Sequence, residues 1–395
     1  MNKMIGAILL IVGTSIGGGM LALPVATAAG GFLNACLLML ACWLAMTFCA
    51  FLILEVNLWL PNHSNIISMA KSTLGPIGQI VAWISYLLLH YSLLSAYLSS
   101  GSDVLHNALI KIHLDIPIWV SSVLVVLVLG AVVYRGISTI DYINRGFMFV
   151  KLAAYFLLVI LTMPHVNLNL LPSGKLHYLL GAVTVVVTSF GYATVIPSLR
   201  SYFHGDVKKL RIVILIGSLI PLLCYTLWVF AIQAIIPTEG ASGLTAIAHS
   251  GHEVSLLTRA LTDAVHTELV ISSANIFTSI CIATAFLGVA LCLTDFLADG
   301  LNIEKKGWGN VTVHGLTFLP PLAIIIFYPG IFLIGLGYAG IFCIVLLMLL
   351  PPLMAWSGRY HKKIAEGYQV IGGKAALILT IVVGVAVLII SKTMG

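Results

Sequence analysis

Gly13-Thr14-Ser15-Ile16-Gly17-Gly18-Gly19-Met20 lies inside the first apolar segment of the chain, and the architecture expected for the rest of the chain turns on it. In a soluble protein this mixture of glycines and hydroxyls would be a loop. The flanks exclude that. Met4 to Val12 is apolar and compatible with a helix, and Leu21-Ala22-Leu23 resumes the apolar pattern before Pro24. At about 1.5 Å per residue the whole run is long enough to cross a bilayer. Glycine costs roughly 1 kcal/mol per helix position, so the cluster is expected to unwind the span near mid-membrane. Backbone groups freed in hydrocarbon are so costly that such a break survives only where it is buried in protein or lines a cavity. The half-helix beyond it turns its N-terminus to that cavity, ready for a carboxylate. That is the anatomy of a carrier's substrate site.

The rest of the chain supports a membrane setting. Of its 395 residues 60% are hydrophobic and 8% charged, against about 25% charged in soluble domains. A β-barrel would show alternating segments; here the apolar runs are continuous. The net charge of +6 is no nucleic-acid footprint, because no basic patch alternates with aromatics. All seven cysteines (36, 42, 49, 224, 281, 292, 343) fall in apolar runs without metal-ligand spacing, and read as small buried hydrophobes. Lys3, an apolar core and Ala26-Thr27-Ala28 resemble a signal peptide. Three consecutive glycines have no use in a cleaved signal, so the segment is read as a retained span.

Segments long enough to cross are 4–29, 32–58, 75–104, 117–134, 143–163, 177–200, 210–236, 269–299, 311–328, 331–356 and 373–392, eleven in all. Their connections sort the basic residues. Fourteen fall on one side: Lys3, Lys71, Arg135, Arg145, Arg200, Lys208, Lys209, Arg211, Lys305, Lys306, Arg359, Lys362, Lys363 and Lys374. Four fall on the other: Lys111, Lys175, Arg259 and Lys392. By the positive-inside rule the N-terminus is cytoplasmic and the C-terminus periplasmic. Lys151 alone is left inside a span. The longest outer connection, 237–268, carries Val254, Leu257, Leu261, Ala264 and Val265 at helical spacing, with Glu253, Arg259, Asp263 and Glu268 on other faces. It reads as a surface helix resting on the bundle, with a lid over the vestibule as the functional alternative.

A second interruption is expected at Ser189-Phe190-Gly191-Tyr192-Ala193-Thr194-Val195-Ile196-Pro197. Gly18 and Pro24 are six apart, as are Gly191 and Pro197, one pair in the first span and one in the sixth. Span one runs outward and span six inward, so two halves of five spans would be inverted copies. Paired interruptions in corresponding positions point to a transporter site.

Other polar residues lie at depth. Lys151 sits well into span five, where it is either a snorkelling side chain or an amine facing the bundle that can lose its proton when desolvated. His90 and Tyr91 lie mid-span in the third segment, as a helix-to-helix hydrogen bond and a core ring, or as a proton carrier and a ligand for a substrate carboxylate. Glu55, Asp295 and Asp299 stand near inner ends of spans and read as partners of the basic cytoplasmic loops. Ser279, Thr284 and Tyr338 are further candidates for lining the cavity. No metalloprotease helix motif, nucleophile elbow or phosphate-binding loop occurs, so neither an enzyme nor a cofactor is expected.

The stretches GTSIGGGMLALP (13–24) and SFGYATVIPSL (189–199), with the eleven-span layout, resemble the hydroxy/aromatic amino acid permease family along the full chain. The resemblance implies the leucine-transporter (LeuT) fold: an all-α polytopic membrane protein of one transporter domain, 1–395. Its five-helix repeats would be 4–163 and 177–356, with broken helices 1 and 6, followed by the eleventh helix, 373–392. It implies proton-coupled symport of an aromatic amino acid, with tyrosine favoured over tryptophan, into a bacterial cell through the inner membrane. Carried over by position, Gly17, Gly18 and Gly19, with neighbouring Thr14 and Ser15, would hold the substrate carboxylate. Phe190 and Gly191 would receive the amino group and flank the side chain, and Lys151 would stand in place of a sodium ion. From the residues alone, apart from the resemblance, Tyr91 is a further candidate for the substrate carboxylate and His90 the next proton carrier. The rivals are sodium coupling, another neutral amino acid as substrate, a channel, and a non-transporting sensor. A pore should show polar rings along several spans, whereas here the polar residues gather at two breaks.

Overall fold

An apolar helix of 13 residues, α1 (Lys3–Ser15), ends where the glycines begin. After Gly17, whose φ and ψ of −149° and −149° are far from helical, α2 (Gly18–Thr27) starts. The two halves meet at 52°. The expected unwinding is present at the expected place. In this computed structural model, residues 3–62, 64–114, 116–171 and 174–394 are described, and the side chains of Arg145 and Lys392, both used in the loop count, lie outside that description.

Next come α3 (Phe32–Leu58) and the 46-residue α4 (Ile66–Lys111). Asn65 caps α4 by accepting from the Ser68 amide at 2.9 Å, while the Ser68 hydroxyl accepts from the Asn65 amide. α4 begins nine residues before the expected third span, because it bends without ending at Gly75 (φ 79°) and Pro76. Glycine alone holds that left-handed angle at no cost. α5 (Ile118–Tyr134) and α6 (Ile137–Thr162) follow.

The second interruption divides α7 (Val183–Ser189) from α8 (Ile196–Tyr202), with a short 3-10 turn at Tyr192–Val195 between them. α9 (Val207–Gln233) is capped by Asp206, which accepts from the Lys209 amide at 3.1 Å. The connection 237–268 forms α10 (Leu244–Ala248) and α11 (Glu253–Val265). The remaining helices are α12 (Glu268–Gly300), α13 (Gly307–Phe327), α14 (Phe332–Cys343), α15 (Leu350–Trp356) and α16 (Gly373–Met394). α14 and α15 are joined through a π-helical stretch, Ile344–Leu349.

Among the described residues there is no strand, and nine helices are long and apolar enough to cross a membrane, or ten with the bent pair α1–α2 taken as one span. The segment expected as the fourth crossing is α5, an apolar helix of 17 residues. Large apolar side chains such as Leu33, Ile77, Phe149, Leu319 and Leu379 stand exposed around the outside. In water that would be a liability; against lipid it costs nothing. The chain is a polytopic helical membrane protein.

Packing places α12 at the centre, against α4, α6 and α13, while α14 lies on α4 and α7. α1 packs on α9 and α2 on α7, so the two interruptions are brought side by side. α11 rests on α4, α12 and α2 through Val254, Leu257, Leu261 and Val265. Two details of the sequence reading change here. Ala264 is exposed, and Glu253, expected on the polar face, is buried at the first turn of α11.

Several helix ends are tied by charge. Glu55 is fully buried, and its carboxylate accepts from Arg359 Nε at 2.6 Å, from Arg359 Nη2 at 2.5 Å and from the Val370 amide at 2.7 Å. Lys305 pairs with Asp295. Arg200, also buried, donates to the carbonyls of Asn57 at 2.6 Å and Pro61 at 3.2 Å. Of the cysteines, Cys292 is exposed and Cys36 half-buried, against the expectation of burial; the other five are buried.

Candidate functional site

Unwinding a helix frees carbonyls, and in a membrane each must find a donor. At the first break the Ile16 carbonyl accepts from Lys151 Nζ at 2.5 Å. The neighbouring Ser15 carbonyl accepts from the Tyr225 hydroxyl at 2.6 Å. The same hydroxyl reaches the carbonyl of Ser189, the last residue of α7, at 2.8 Å. One phenol from α9 therefore bridges the two interruptions. Phe190 lies edge-on to the Tyr225 ring, with centroids 5.2 Å apart, and holds it in place.

Lys151 is 1% exposed. Its amine lies inside the bundle, at Ile16 of the broken span and within 3.5 Å of the Thr284 hydroxyl on α12. A snorkelling lysine would point to the headgroups instead. A buried ammonium is tolerated only where carbonyls and hydroxyls replace its water, and these two supply part of that shell.

The breaks open into a cavity of about 380 Å³. Thr14, Ser15, Gly17 and Gly19 line it from the first span, Ser189 and Gly191 from the sixth, and His90, Lys151 and Thr284 complete its polar wall. The Ser15 hydroxyl is buried and has no partner among the described residues, whereas the Thr14 hydroxyl donates to the Leu10 carbonyl at 2.7 Å. Around this cavity the polypeptide is fitted closely. A Cβ on Gly18 would meet the Tyr97 ring at 2.5 Å, one on Gly17 would meet the Ala285 methyl at 3.3 Å, and one on Gly19 would meet the Ser189 hydroxyl at 3.0 Å. Glycine here is a requirement of close approach as well as of unwinding.

The two breaks bring helix ends of opposite dipole to one cavity. The N-terminus of α2, Gly17 to Gly19, presents amides and the positive end of a helix dipole, and the C-terminus of α7 presents carbonyls and the negative end. A zwitterion between them would find an opposite partial charge at each end.

Several residues singled out from the sequence are placed elsewhere. Tyr91 donates to the Leu316 carbonyl on α13 at 2.8 Å and does not line the cavity; Tyr97 does. Phe190 is fully buried behind Tyr225, and Gly18 is sealed under Tyr97. Ser279 and Tyr338 are exposed, and of that group only Thr284 reaches the site. Sequence reading missed Tyr97, Tyr225, Asn144 and Thr188. A tyrosine in the middle of an apolar span was the available signal, but it does not say which way the ring faces.

A model of the tryptophan/tyrosine permease family matches residues 1–391 of this chain. The chain is 33% identical to the tyrosine-specific transport system 1 of Haemophilus influenzae, covering 98% of this chain and 96% of that protein. It is 31% identical to a tryptophan-specific transport protein of the same bacterium, covering 97% and 94%. A third relative, glutamine transporter 2 of Aliivibrio fischeri, is also 31% identical, with 98% of each chain covered.

Proposed function

Because the chain belongs to the tryptophan/tyrosine permease family, we propose that it is a secondary transporter that takes up an aromatic amino acid, tyrosine first, by symport with a proton. It is a permease and not an enzyme. The observation that carries the substrate reading is the meeting of two broken helices, with opposite dipole ends facing one cavity. That arrangement suits a zwitterionic amino acid. Proton coupling rests on Lys151, whose amine takes the Ile16 carbonyl and the Thr284 hydroxyl. A sodium ion at the break would be held by such oxygens, and in this reading the ammonium takes the ion's place.

The reading includes eleven crossings, with α5 as the fourth, and the inverted five-helix repeats 4–163 and 177–356 of a leucine-transporter fold. It places the N-terminus in the cytoplasm and the C-terminus outside, across a bacterial inner membrane. In that orientation the cavity runs toward the cytoplasm. Leu9 and Leu10 in the first half of the broken first span, Asn144 and Met148 in the first half of α6, and Leu291 and Cys292 toward the end of α12 all line it, and in this orientation all lie on the inner side of their spans. Release to the inside is then the step this conformation serves. Rocking of spans 1, 2, 6 and 7 against the others would close it and open the outer side.

The Aliivibrio relative supports a second reading, glutamine as substrate. Uptake of labelled tyrosine, tryptophan, glutamine and alanine by proteoliposomes, with imposed pH or sodium gradients, decides between them. Tyrosine should accumulate when the outside is acid and should ignore sodium. Accumulation of glutamine alone, or only with sodium outside, overturns the substrate or the coupling.

A further inference from the structure

Within the cavity wall the His90 side chain carries hydrogen-bonding capacity that neither break uses, as does Asn144, whose buried Oδ1 has no partner among the described residues. His90 lies two turns from Tyr97 on the same face of α4, about 10 Å along the helix axis. Tyr97 covers Gly18 at the first break, so His90 stands at the cavity's far end from the substrate's backbone. Its ring is fixed twice. It stacks on Tyr86 with centroids 4.0 Å apart and planes at 23°, and Tyr86 in turn rests on Phe296 at 4.6 Å. Its Nδ1 lies 2.8 Å from the Tyr86 carbonyl. A carbonyl oxygen only accepts, so Nδ1 carries the proton, and in the neutral ring Nε2 is left as an acceptor. No described residue donates to Nε2, and the ring lines the cavity.

The geometry points to His90 as the residue that selects the substrate's side chain: its Nε2 accepts a hydrogen bond from a donor on the substrate's aromatic ring, a phenol O–H or an indole N–H. This rests on the proposed function, since it presumes an aromatic amino acid with its backbone at the two breaks. The distance from Tyr97 to His90 suits an amino acid whose ring carries a donor at its far end. A short aliphatic side chain cannot reach. Phenylalanine reaches but brings no donor, and it would strip water from Nε2 without replacing it. An unpaired buried acceptor of this kind costs enough to weaken binding by roughly tenfold or more. One imidazole thus admits tyrosine and tryptophan alike and disfavours a ring without a donor.

The test is a binding panel on the purified protein: tyrosine against phenylalanine and O-methyl-tyrosine, and tryptophan against 1-methyl-tryptophan. The parent should favour each donor-bearing ligand over its donorless counterpart by about tenfold or more. His90→Phe, which keeps a flat ring on Tyr86, should bring each ratio to about one, and His90→Gln, which keeps an acceptor, should retain part of it. If the parent binds tyrosine and phenylalanine equally, the assignment fails while the proposed function stands; should His90→Phe not fold, this comparison alone decides. A His90→Phe protein that keeps the parent's ratios but loses pH-driven accumulation also overturns it, and makes His90 a proton carrier. If no aromatic amino acid binds the parent, the proposed function falls and this assignment with it.

Discussion

Replacing Tyr225 with phenylalanine removes one oxygen from the centre of the molecule and nothing else. That hydroxyl has a single proton, shared between the Ser15 carbonyl at 2.6 Å and the Ser189 carbonyl at 2.8 Å. Both carbonyls are at ends of interrupted helices and neither can be repaid from its own backbone. The deletion therefore loses about one buried hydrogen bond and strands an acceptor, a cost of about 1–3 kcal/mol. The edge-on contact with Phe190 at 5.2 Å remains, so packing is nearly conserved. In a chain of this length the midpoint of thermal unfolding moves by about 2 °C or less per kcal/mol, so a fall of a few degrees is expected. Because the lost bond joins the two breaks proposed to flank the substrate's backbone, tyrosine affinity should fall as well, by roughly fivefold to a hundredfold. Thermal unfolding and equilibrium binding on the purified protein measure both effects. Tyr225→Ala separates packing from hydrogen bonding, since loss of a buried ring costs about 3–5 kcal/mol. If Tyr225→Phe leaves both the midpoint and the affinity unchanged, the hydroxyl is not the clamp between the breaks.

Three other substitutions test separate parts of the structure. Gly18→Ala drives a methyl into the Tyr97 ring, 2.5 Å away, and overpacking of about 1–3 kcal/mol should lower tyrosine affinity about tenfold with normal membrane insertion; an unchanged dissociation constant would move the site elsewhere. Lys151→Ala should abolish accumulation on a pH gradient while substrate-for-substrate exchange partly survives, and Lys151→Arg should not rescue it, because a guanidinium stays charged; parent-like accumulation by the arginine variant refutes the coupling role. Burial pushes the Glu253 carboxyl up to about 7, with nearby Asp103 adding to the rise. A raised carboxyl binds its proton more tightly folded than unfolded, so the packing of α11 is undisturbed below about pH 4.5, and is weakened as the pH climbs through 7, by about 3 kcal/mol at most. Amide exchange in α11 should therefore be slower at pH 6 than at pH 8 after correction for the intrinsic rate, and Glu253→Gln should remove the difference; an equal pH dependence in both proteins refutes it.

What could be read from the sequence was decided by the backbone's own chemistry. Lipid offers no hydrogen bonds, so every crossing must be a helix, and apolar length marks it out. The glycines at 17–19 break the first span wherever the chain folds, because their helix-breaking cost is local. Gly191 and Pro197 mark the second break for the same reason. Lys151 was conspicuous because a charge inside a span is expensive and needs a purpose.

Which faces of those helices meet was not local. Tyr91 and Tyr97 are both tyrosines in the apolar part of α4, six residues apart, and so about 240° apart around the helix. Around a membrane helix both lipid and protein interior are apolar, so α4 carries no strong polar face to fix its rotation. Its packing against α12, α13 and α14 fixes it, turning Tyr91 to the Leu316 carbonyl and Tyr97 to Gly18. Tyr225 is 210 residues from Ser15 and 36 from Ser189, and only the packing of α1 on α9 makes its hydroxyl their common donor. Where the backbone must break is written locally, in the glycines. Which side chains answer the carbonyls those breaks release depends on distances between helices that no local pattern encodes.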